Sequence, residues 1–582
     1  MKSYAKKIWP VLLILVISLL AARELFLPGY FPMHDDLQIS RLYQMDKCIR
    51  DLQIPCRWVP DMGYGYGYPL FNYYAPFPYY LGEVFHLLGL SFIAQHQAML
   101  INSVKLLFIL GFIFSGIFMF LLGRELWGKL GGLVSAVFYI FAPYYAVDIY
   151  VRGAMGEFWG LVFFPAIFWA VFLVIKRGGK NNILLFAFFY GLLLLSHNIM
   201  SMIFTPLIFL WSVFLIWFLK AKWRVSLLKL VLGGAWGLGL AAFFILPALL
   251  EKNFVHTETM LMGYFNYLAH FISLKQLFFS RFWGFGASTW GEDDGMPFQI
   301  GYLHWIIPTL SLILFSVLLL RKRISGRPYL LFAIYYLLFL GSAFLTHLRS
   351  TPVWQTVKLL EYLQFPWRFL ALTIFAASVL SGSVIFAVDQ ILKKRTDLLR
   401  KPILELLTLG LIGAVIVLNF NYFKPEKILK ITDEEKLFSP KGWNKLQTDA
   451  IFDYLPIFAK QPPANPAPEG PEVFEGKAGL TYLERGTNWY QFNAEVLGEK
   501  AKIRLPIYDF PGWKVLVDKK EAKISHDNLL GLITFEIPSG NHIISARLTN
   551  TPIRTFSNLV SLFAWLALVL TIIKLKSANE SN

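Results

Sequence analysis

Four ionisable side chains stand close together soon after the first apolar run of the chain, which covers residues 8–27. They are His34, Asp35, Asp36 and Arg41. Charged groups at the end of a membrane span are costly unless they are solvated, paired or used in chemistry. Adjacent carboxylates can serve as a general base or bind a divalent cation. The alternative is an ordinary helix start, because acidic residues in a first turn suit the helix dipole.

The composition indicates which elements must position these groups. The 582 residues are 56% hydrophobic and 17% aromatic, which excludes an ordinary soluble protein. Apolar stretches long enough to span a bilayer predict about twelve transmembrane helices. These stretches are 8–27, 98–122, 130–147, 154–175, 182–196, 199–219, 227–250, 302–320, 328–346, 366–392, 402–420 and 556–573.

The net charge of +17 is a topology signal and not a nucleic-acid footprint. With a cytosolic N-terminus, the short inner loops carry 22 Lys and Arg side chains against three acidic ones, as the positive-inside rule requires. We therefore predict a multi-pass protein of the cytoplasmic membrane with both termini in the cytosol and no nucleic-acid partner. The first apolar run reads as a retained signal anchor, because no small-residue cleavage site follows it.

Four regions follow from this pattern. Residues 1–420 form a transmembrane domain with a long first outer loop, 28–97. Residues 421–477 form an extracytoplasmic, proline-rich linker region. Residues 478–552 alternate apolar and polar side chains between turn signals, such as Asp518-Lys-Lys and Ser539-Gly-Asn, which predicts an antiparallel β-sandwich. A last transmembrane helix covers 556–573.

Two features of the first outer loop leave alternatives open. Its run from Gly63 to Tyr80 is rich in glycine, tyrosine and proline, and these tyrosines could stack on sugar rings, border a lipid groove or form an interfacial belt. The two cysteines of the chain, Cys48 and Cys56, are equally compatible with one disulfide bridge and with two free thiols.

Further ionisable groups cluster on the predicted outer side and suggest one site there. Asp35 or Asp36 would be the catalytic base or a metal ligand, so the cofactor is either absent or a divalent cation. The expected substrate contacts are His34, Arg41, Arg152, Glu157, His197 and Arg368. Arginines bind phosphate through paired hydrogen bonds, and a substrate that arrives from the bilayer would be a lipid phosphate. These features favour glycosyl transfer from a polyprenyl-phosphate sugar to a glycan or lipid acceptor.

Each of these residues also has a structural interpretation. Arg152 and Glu157 could pair with each other, His197 could be a buried hydrogen-bonding histidine, and Arg368 could anchor the chain at the interface. Two other functions compete with glycosyl transfer. A transporter or flippase for a lipid-linked sugar would place polar residues deep within several helices. A non-enzymatic envelope assembly factor would depend on the β-domain and tolerate loss of the acidic pair.

The layout resembles the GT-C superfamily of polytopic glycosyltransferases, which implies that Asp35 and Asp36 in the first outer loop are catalytic. The chain is also similar to bacterial membrane proteins related to YfhO, a family that bears the domain name "6-pyruvoyl-tetrahydropterin synthase-related". This resemblance covers nearly the whole chain and implies a GT-C-like helical domain, a C-terminal β-domain and a role in the cell envelope. The motifs that carry it are Pro32-Met-His-Asp-Asp36, Gly65-Tyr-Gly-Tyr-Pro-Leu-Phe-Asn-Tyr-Tyr74, Arg152-Gly-Ala-Met-Gly-Glu157, Ser196-His197, Phe365-Pro-Trp-Arg368 and Phe510-Pro-Gly-Trp513.

Overall fold

The computed structural model describes residues 2–90, 96–291 and 293–580, which form a mostly helical chain with one β-sheet. The helices are α1 (Lys2–Ala21), α2 (Gln38–Arg50), α3 (Leu70–Tyr73), α4 (Phe77–Leu87), α5 (Met99–Ile140), α6 (Pro143–Ala146), α7 (Met155–Lys176), α8 (Lys180–Ser196), α9 (Asn198–Phe218), α10 (Trp223–Leu250), α11 (Tyr302–Leu320), α12 (Gly326–Leu345), α13 (Thr351–Thr356), α14 (Leu370–Leu392), α15 (Asp397–Asn419), α16 (Asp433–Phe438), α17 (Pro440–Thr448) and α18 (Pro552–Glu580). The strands are β1 (Glu472–Glu475), β2 (Ala478–Arg485), β3 (Trp489–Tyr508), β4 (Trp513–Val517), β5 (Lys520–Glu521) and β6 (Leu532–Leu548).

All twelve predicted apolar stretches are helical over most of their length. Within the described ranges, nine helices are long and apolar enough to cross a membrane: α5, α7, α9, α10, α11, α12, α14, α15 and α18. The apolar parts of α1 and α8 are shorter. Helix α5 contains most of two predicted stretches, 98–122 and 130–147. A kink at Gly128, where the backbone is not helical (φ 82°, ψ 177°), separates the two. The chain is therefore a multi-pass membrane protein with a C-terminal β-domain.

The chain divides into two compact units. The first comprises residues 1–36, 90–237 and 263–430, and the second comprises 37–89, 238–262 and 431–582. Helix α10 belongs to both, since the division falls after Gly237.

The first unit is a helical bundle with α7 and α14 at its centre, both almost wholly buried. Helix α5 packs against α7, α14, α1 and α15. Helices α11 and α12 pack against α14, and helices α8 and α9 pack against α7. Gly131 of α5 and Gly382 of α14 allow the close crossing of these two helices. A Cβ built on Gly382 would lie 2.3 Å from the carbonyl oxygen of Gly131, so only glycine fits there.

The second unit contains the sheet, whose strands are all antiparallel in the order β1-β3-β6-β4-β5, with β2 also paired to β3. The expected alternation is present: Phe492, Ala494 and Val496 are buried, and Gln491 and Glu495 are exposed. The six strands are joined by hydrogen bonds into one antiparallel sheet, in which β3 and β6 pair with each other over both of their halves.

One predicted turn is a strand irregularity instead. Residues around Gly540 stay within β6, and the pairing register shifts between Val496 and Lys500 of β3 at the same level. Gly540 has φ 117°, a conformation that glycine adopts without strain. By contrast, Asp518 and Lys519 do form the tight turn between β4 and β5, with φ of 50° and 69°.

The glycine–tyrosine run of the first loop packs on this sheet. The ring of Tyr66 lies 5.5 Å from that of Tyr508, and the ring of Trp58 lies 5.6 Å from that of Trp513. Gly67 has φ 84°, and a Cβ there would lie 2.3 Å from Nε1 of Trp58. The aromatic side chains of this run therefore build a core with the β-domain, a use that the sequence analysis did not consider.

One disulfide bridge and one buried ion pair connect parts of the second unit. Cys48 and Cys56 form a disulfide bridge. Nε of Arg554 at the start of α18 lies 2.8 Å from Glu251 Oε2 at the end of α10, and both side chains are buried. Glu251 also accepts from the amide of Asn72 (3.2 Å), which ties the first loop to the two helices.

Candidate functional site

The stretch that carries the acidic pair runs beside the segment between α6 and α7. The backbone N–H of His34 donates to the carbonyl of Val151 (3.0 Å), and that of Asp35 donates to the carbonyl of Arg152 (2.9 Å). Gly153 makes this approach possible, since it has φ 62° and a Cβ there would overlap the side chain of Met33. The motif around Asp35 and the motif that begins at Arg152 therefore meet, although more than a hundred residues separate them in the sequence.

Tyr30 positions the second carboxylate. Its buried hydroxyl donates a hydrogen bond to Oδ1 of Asp36. The backbone of Tyr30 is itself fixed, because it exchanges two hydrogen bonds with Leu429 just beyond α15. Both Asp35 and Asp36 are partly exposed, so their carboxylates can be reached from solvent.

A buried ionic network lies directly behind this stretch. Glu157 Oε2 accepts from Arg152 Nη2 (2.9 Å) and from Arg368 Nε (3.3 Å), so one carboxylate oxygen bridges two guanidinium groups. The other oxygen of Glu157 accepts from the hydroxyl of Tyr144 (2.6 Å). Arg152 also pairs with Asp148 through Nη1 (2.5 Å). Burial of these charges is tolerated because each is paired and hydrogen-bonded.

Local backbone geometry explains how Arg368 reaches the network. The Phe-Pro-Trp-Arg motif forms a short 3-10 turn before α14, and Gln364 before it has φ 65°. Nη1 of Arg368 donates to the carbonyl of Leu363 (2.6 Å) and to the side chain of Gln364 (3.0 Å). Trp367 completes the arrangement, because the guanidinium carbon of Arg152 lies 4.5 Å from its ring centroid.

His197 caps α9 and lies close to the network. Its Nδ1 accepts from the backbone N–H of Met200 (3.2 Å), the hydrogen bond of an N-cap residue. Burial and the positive charge of Arg368 lower the pKa of His197 to about 3, so its imidazole is neutral. This hydrogen bond is compatible with the structural interpretation of His197, and its role as a substrate contact stays a prediction.

Asp148 differs from Glu157 in its protonation. Burial and the nearby Glu157 raise the pKa of the Asp148 carboxyl well above its usual range, and the attraction of Arg152 does not offset them. Its Oδ2 is buried and has no hydrogen-bond partner among the described residues. A proton on Asp148 would leave Arg152, Arg368 and Glu157 as the charged members, with an excess of one positive charge.

The other two predicted contacts, His34 and Arg41, make different interactions. The imidazole of His34 is exposed, and its Nε2 lies 3.0 Å from the carbonyl of Phe285. Arg41 belongs to the second unit, where its guanidinium stacks over Tyr74 and donates to the hydroxyl of that residue (3.1 Å). Of the eight predicted site residues, the first unit therefore holds Asp35, Asp36, His34, Arg152, Glu157, His197 and Arg368.

Asp35 and Asp36 do not form part of a recognisable metal site. Among the residues that the structure describes, no group of three or more His, Cys, Asp or Glu side chains is arranged to hold a metal ion. A divalent cation at these two residues would need further oxygen ligands, such as carbonyl groups, the substrate or water.

Three site residues escaped the sequence analysis as functional candidates: Tyr30, Tyr144 and Trp367. The chain has 27 tyrosines and 18 tryptophans, so residue type gives no signal for these positions. The pairing of Asp148 with Arg152 was also not predicted. The spacing of four residues within one turn could have indicated that pair.

Known proteins resemble this chain only distantly. No family model matches it, so membership of the YfhO-related family stays a prediction. An uncharacterized protein from Lactococcus lactis subsp. cremoris (strain MG1363) is 25% identical over 318 residues, which are 53% of this chain and 48% of the relative. The chain thus spans about half the length of that relative.

Two solved structures show a likeness in overall arrangement. One is the archaeal oligosaccharyltransferase AglB from Archaeoglobus fulgidus in complex with an inhibitory peptide and a dolichol-phosphate, with TM-score 0.48, 15% identity and coverage of 77% of this chain and 60% of that one. The other is the arabinofuranosyltransferase AftD from Mycobacteria, with TM-score 0.43, 14% identity and coverage of 72% and 27%. Similarity at this level does not establish a shared activity.

Proposed function

We propose that this chain is a membrane glycosyltransferase of the GT-C type that takes its sugar from a polyprenyl-phosphate donor and modifies an envelope glycan or glycolipid. The observation that carries the proposal is the junction of Asp35 with Arg152. It places a solvent-accessible acidic pair next to a buried network with two arginines, Arg152 and Arg368. A transferase of this kind needs a base for the acceptor and cations for a phosphate leaving group.

The reaction assigns a role to each part of the site. Asp35 or Asp36 takes the proton of an acceptor hydroxyl while the acceptor oxygen forms a bond to the anomeric carbon of the sugar. The bond from that carbon to the phosphate oxygen breaks, and the lipid phosphate leaves with the electron pair. The positive excess on Arg152 and Arg368, with the proton held on Asp148, favours this leaving group. The remaining predicted substrate contacts are His34, Arg41 and His197.

Two observations support an extracytoplasmic site in the cytoplasmic membrane. The disulfide between Cys48 and Cys56 lies in the first loop, and such bridges persist in oxidising compartments. The basic residues of the short inter-helical loops fall on the opposite side by the positive-inside rule. The proposal therefore keeps both termini in the cytosol and the β-domain outside.

The position of the buried charges separates this function from a transporter. Glu157 lies in the first turn of α7, Arg368 just precedes α14, and Arg152 lies between helices. A transporter site at the middle of the bilayer would instead require such groups within helix centres or at helix breaks there. The network thus favours chemistry at one membrane surface.

The test uses the purified chain in lipid vesicles with short-chain polyprenyl-phosphate sugars. Release of polyprenyl phosphate is followed by mass spectrometry in the wild type, in the double variant Asp35→Asn/Asp36→Asn, and in Asp397→Asn as an exposed control. We expect release in the wild type and in the control and none in the double variant. Equal release in all three would refute the catalytic assignment. Absence of release together with absence of donor binding would favour the assembly-factor function.

A further inference from the structure

The segment of residues 346–363, between α12 and α14, exposes apolar side chains although it does not span the bundle. It contains the short helix α13 and a 3-10 turn over Lys358–Leu363. Leu359 is 56% exposed and Tyr362 is 50% exposed. The exposed apolar side chains of this segment are Leu348, Val353, Val357, Leu359 and Tyr362.

This segment is held firmly in place. The indole N–H of Trp354 donates to the carbonyl of Leu345 at the end of α12 (3.1 Å), and the side chain is fully buried. The ring of Trp354 stacks on that of Tyr267 at 5.1 Å. Val353 and Val357 are four residues apart and therefore lie on one face of the helical turn. Their exposure is thus set by the fold and does not result from a loose loop.

The exposed side chains continue the apolar surface of a spanning helix. Leu337, Leu340 and Phe344 of α12 are exposed, and only a third of the apolar stretch of this helix is buried inside the protein. A parallel β-bridge joins His347 to Ile272 and brings a second exposed apolar residue, Leu274, to the same edge. Lipid that covers the exposed face of α12 would therefore also reach the 346–363 segment.

The segment is amphipathic, which distinguishes it from a spanning element. Gln355, Thr356 and Lys358 are exposed between the apolar positions, and Lys358 pairs with Glu361 at 3.0 Å. Polar and charged groups of this kind remain hydrated at the headgroup level and are costly within the hydrocarbon.

We propose that the 346–363 segment lies in the lipid–water boundary of the bilayer, with Val353, Val357, Leu359 and Tyr362 among the acyl chains and its polar residues at the headgroups. The segment ends at Leu363, which accepts a hydrogen bond from Arg368. It therefore joins the bilayer surface to the buried ionic network. This assignment concerns the position of the segment and does not depend on the proposed transferase activity.

Spin-label accessibility tests this placement in the full chain. The two native cysteines are bridged, so a nitroxide can be attached at one engineered cysteine, either Val357→Cys or Leu359→Cys. Matched labels are Gln355→Cys on the polar side of the segment, Leu340→Cys in α12 and Leu529→Cys, an exposed apolar position of the β-domain. The chain is reconstituted in vesicles of phosphatidylethanolamine and phosphatidylglycerol, and collisions with oxygen and with a water-soluble nickel chelate are measured.

At positions 357 and 359 we expect frequent collisions of the label with oxygen. Collisions with the chelate should be reduced on the order of tenfold relative to position 529, because transfer of a polar chelate into hydrocarbon is unfavourable. Position 355 should show more chelate collisions than position 357, and position 340 fewer. Water-like values at 357 and 359 would overturn the proposal. Protection of both positions from both reagents would also overturn it, since it indicates a protein partner or a second copy. Each label carries the test if the other variant fails to assemble.

Discussion

The backbone N–H of Asp35 donates to the carbonyl of Arg152 at 2.9 Å. This single hydrogen bond joins the acidic stretch after the first helix to the segment that carries the buried network. It fixes the distance between the carboxylates and Arg152 through backbone atoms. Substitutions of the side chains therefore leave the junction in place, which makes the site suitable for mutational tests.

The hydrogen bond from Tyr30 to Asp36 predicts a loss of activity in Tyr30→Phe. A hydrogen bond to a charged group contributes about 1.5–3 kcal/mol, so we expect transfer to fall by about tenfold or more while the chain still folds. Release of polyprenyl phosphate measures the effect. Tyr302→Phe is the control, because it removes an exposed hydroxyl that bonds only to the backbone carbonyl of Phe279 in the described structure. Equal rates in both variants would show that Tyr30 does not position Asp36.

We expect the substitution Glu157→Gln to cause a large loss of stability. The substitution leaves two buried guanidinium groups, those of Arg152 and Arg368, without their shared carboxylate, and such a loss costs about 3–5 kcal/mol. Glu361→Gln, which breaks the exposed pair with Lys358, should cost about 1 kcal/mol or less. Thermal unfolding in detergent compares the two. A small effect of Glu157→Gln would mean that water solvates the network.

We expect Asp148→Asn, in contrast to Glu157→Gln, to have little effect on stability. Burial raises the pKa of Asp148, so the neutral amide resembles the protonated side chain, and we expect a loss of about 1 kcal/mol or less. A loss as large as that of Glu157→Gln would show that Asp148 is charged in the folded protein.

The same pKa shift predicts a pH dependence. The folded protein binds the Asp148 proton more tightly than the unfolded chain, whose carboxyl titrates near 3.8. This stabilisation is complete below that pH and is lost as the pH rises through the raised folded-state pKa. The unfolding temperature of the wild type minus that of Asp148→Asn should therefore decrease as the pH rises above about 4. A constant difference would contradict the shift.

The packing of the first loop on the sheet predicts that Gly67→Ala is destabilising. A Cβ at this position meets Trp58 Nε1 at 2.3 Å, and φ is 84°, so we expect a loss of about 2–4 kcal/mol from strain and overpacking. Gly479→Ala in β2 is the matched control, because no atom lies within 4 Å of its Cβ position. Thermal unfolding followed by tryptophan fluorescence measures both. An unchanged midpoint for Gly67→Ala would show that the loop does not pack as described.

Hydropathy was sufficient to predict the helical part of the fold. Backbone groups in lipid must be satisfied within a segment, so every long apolar stretch had to be helical. The strands followed from alternation, but the irregularity at Gly540 of β6 did not, because this position looks like a turn until its pairing with β3 is known. The structure brings Arg152, Glu157 and Arg368 together in the first unit, and the assignment of one functional site to them stays a prediction.

The sequence allowed for a pair between Arg152 and Glu157, but it could not predict that Arg368 shares the same carboxylate. Arg152 and Arg368 lie more than two hundred residues apart, and only the packed bundle brings both to Glu157. The role of Tyr30 depends on the same kind of long-range contact, since Leu429 holds its backbone. Arg41 follows the acidic pair closely in the sequence, yet it belongs to the second unit with Tyr74.

The bridge between Tyr30 and Leu429 has a consequence for the order of events during synthesis. The residue that supports Asp36 cannot complete its pairing until about 400 further residues have left the ribosome, which takes about 20–80 s at common elongation rates. The first loop would already be across the membrane for most of this time. A nascent chain that stops before residue 429 should therefore insert its helices and remain inactive, so that the proposed catalytic site would be complete only after residue 429 has been made.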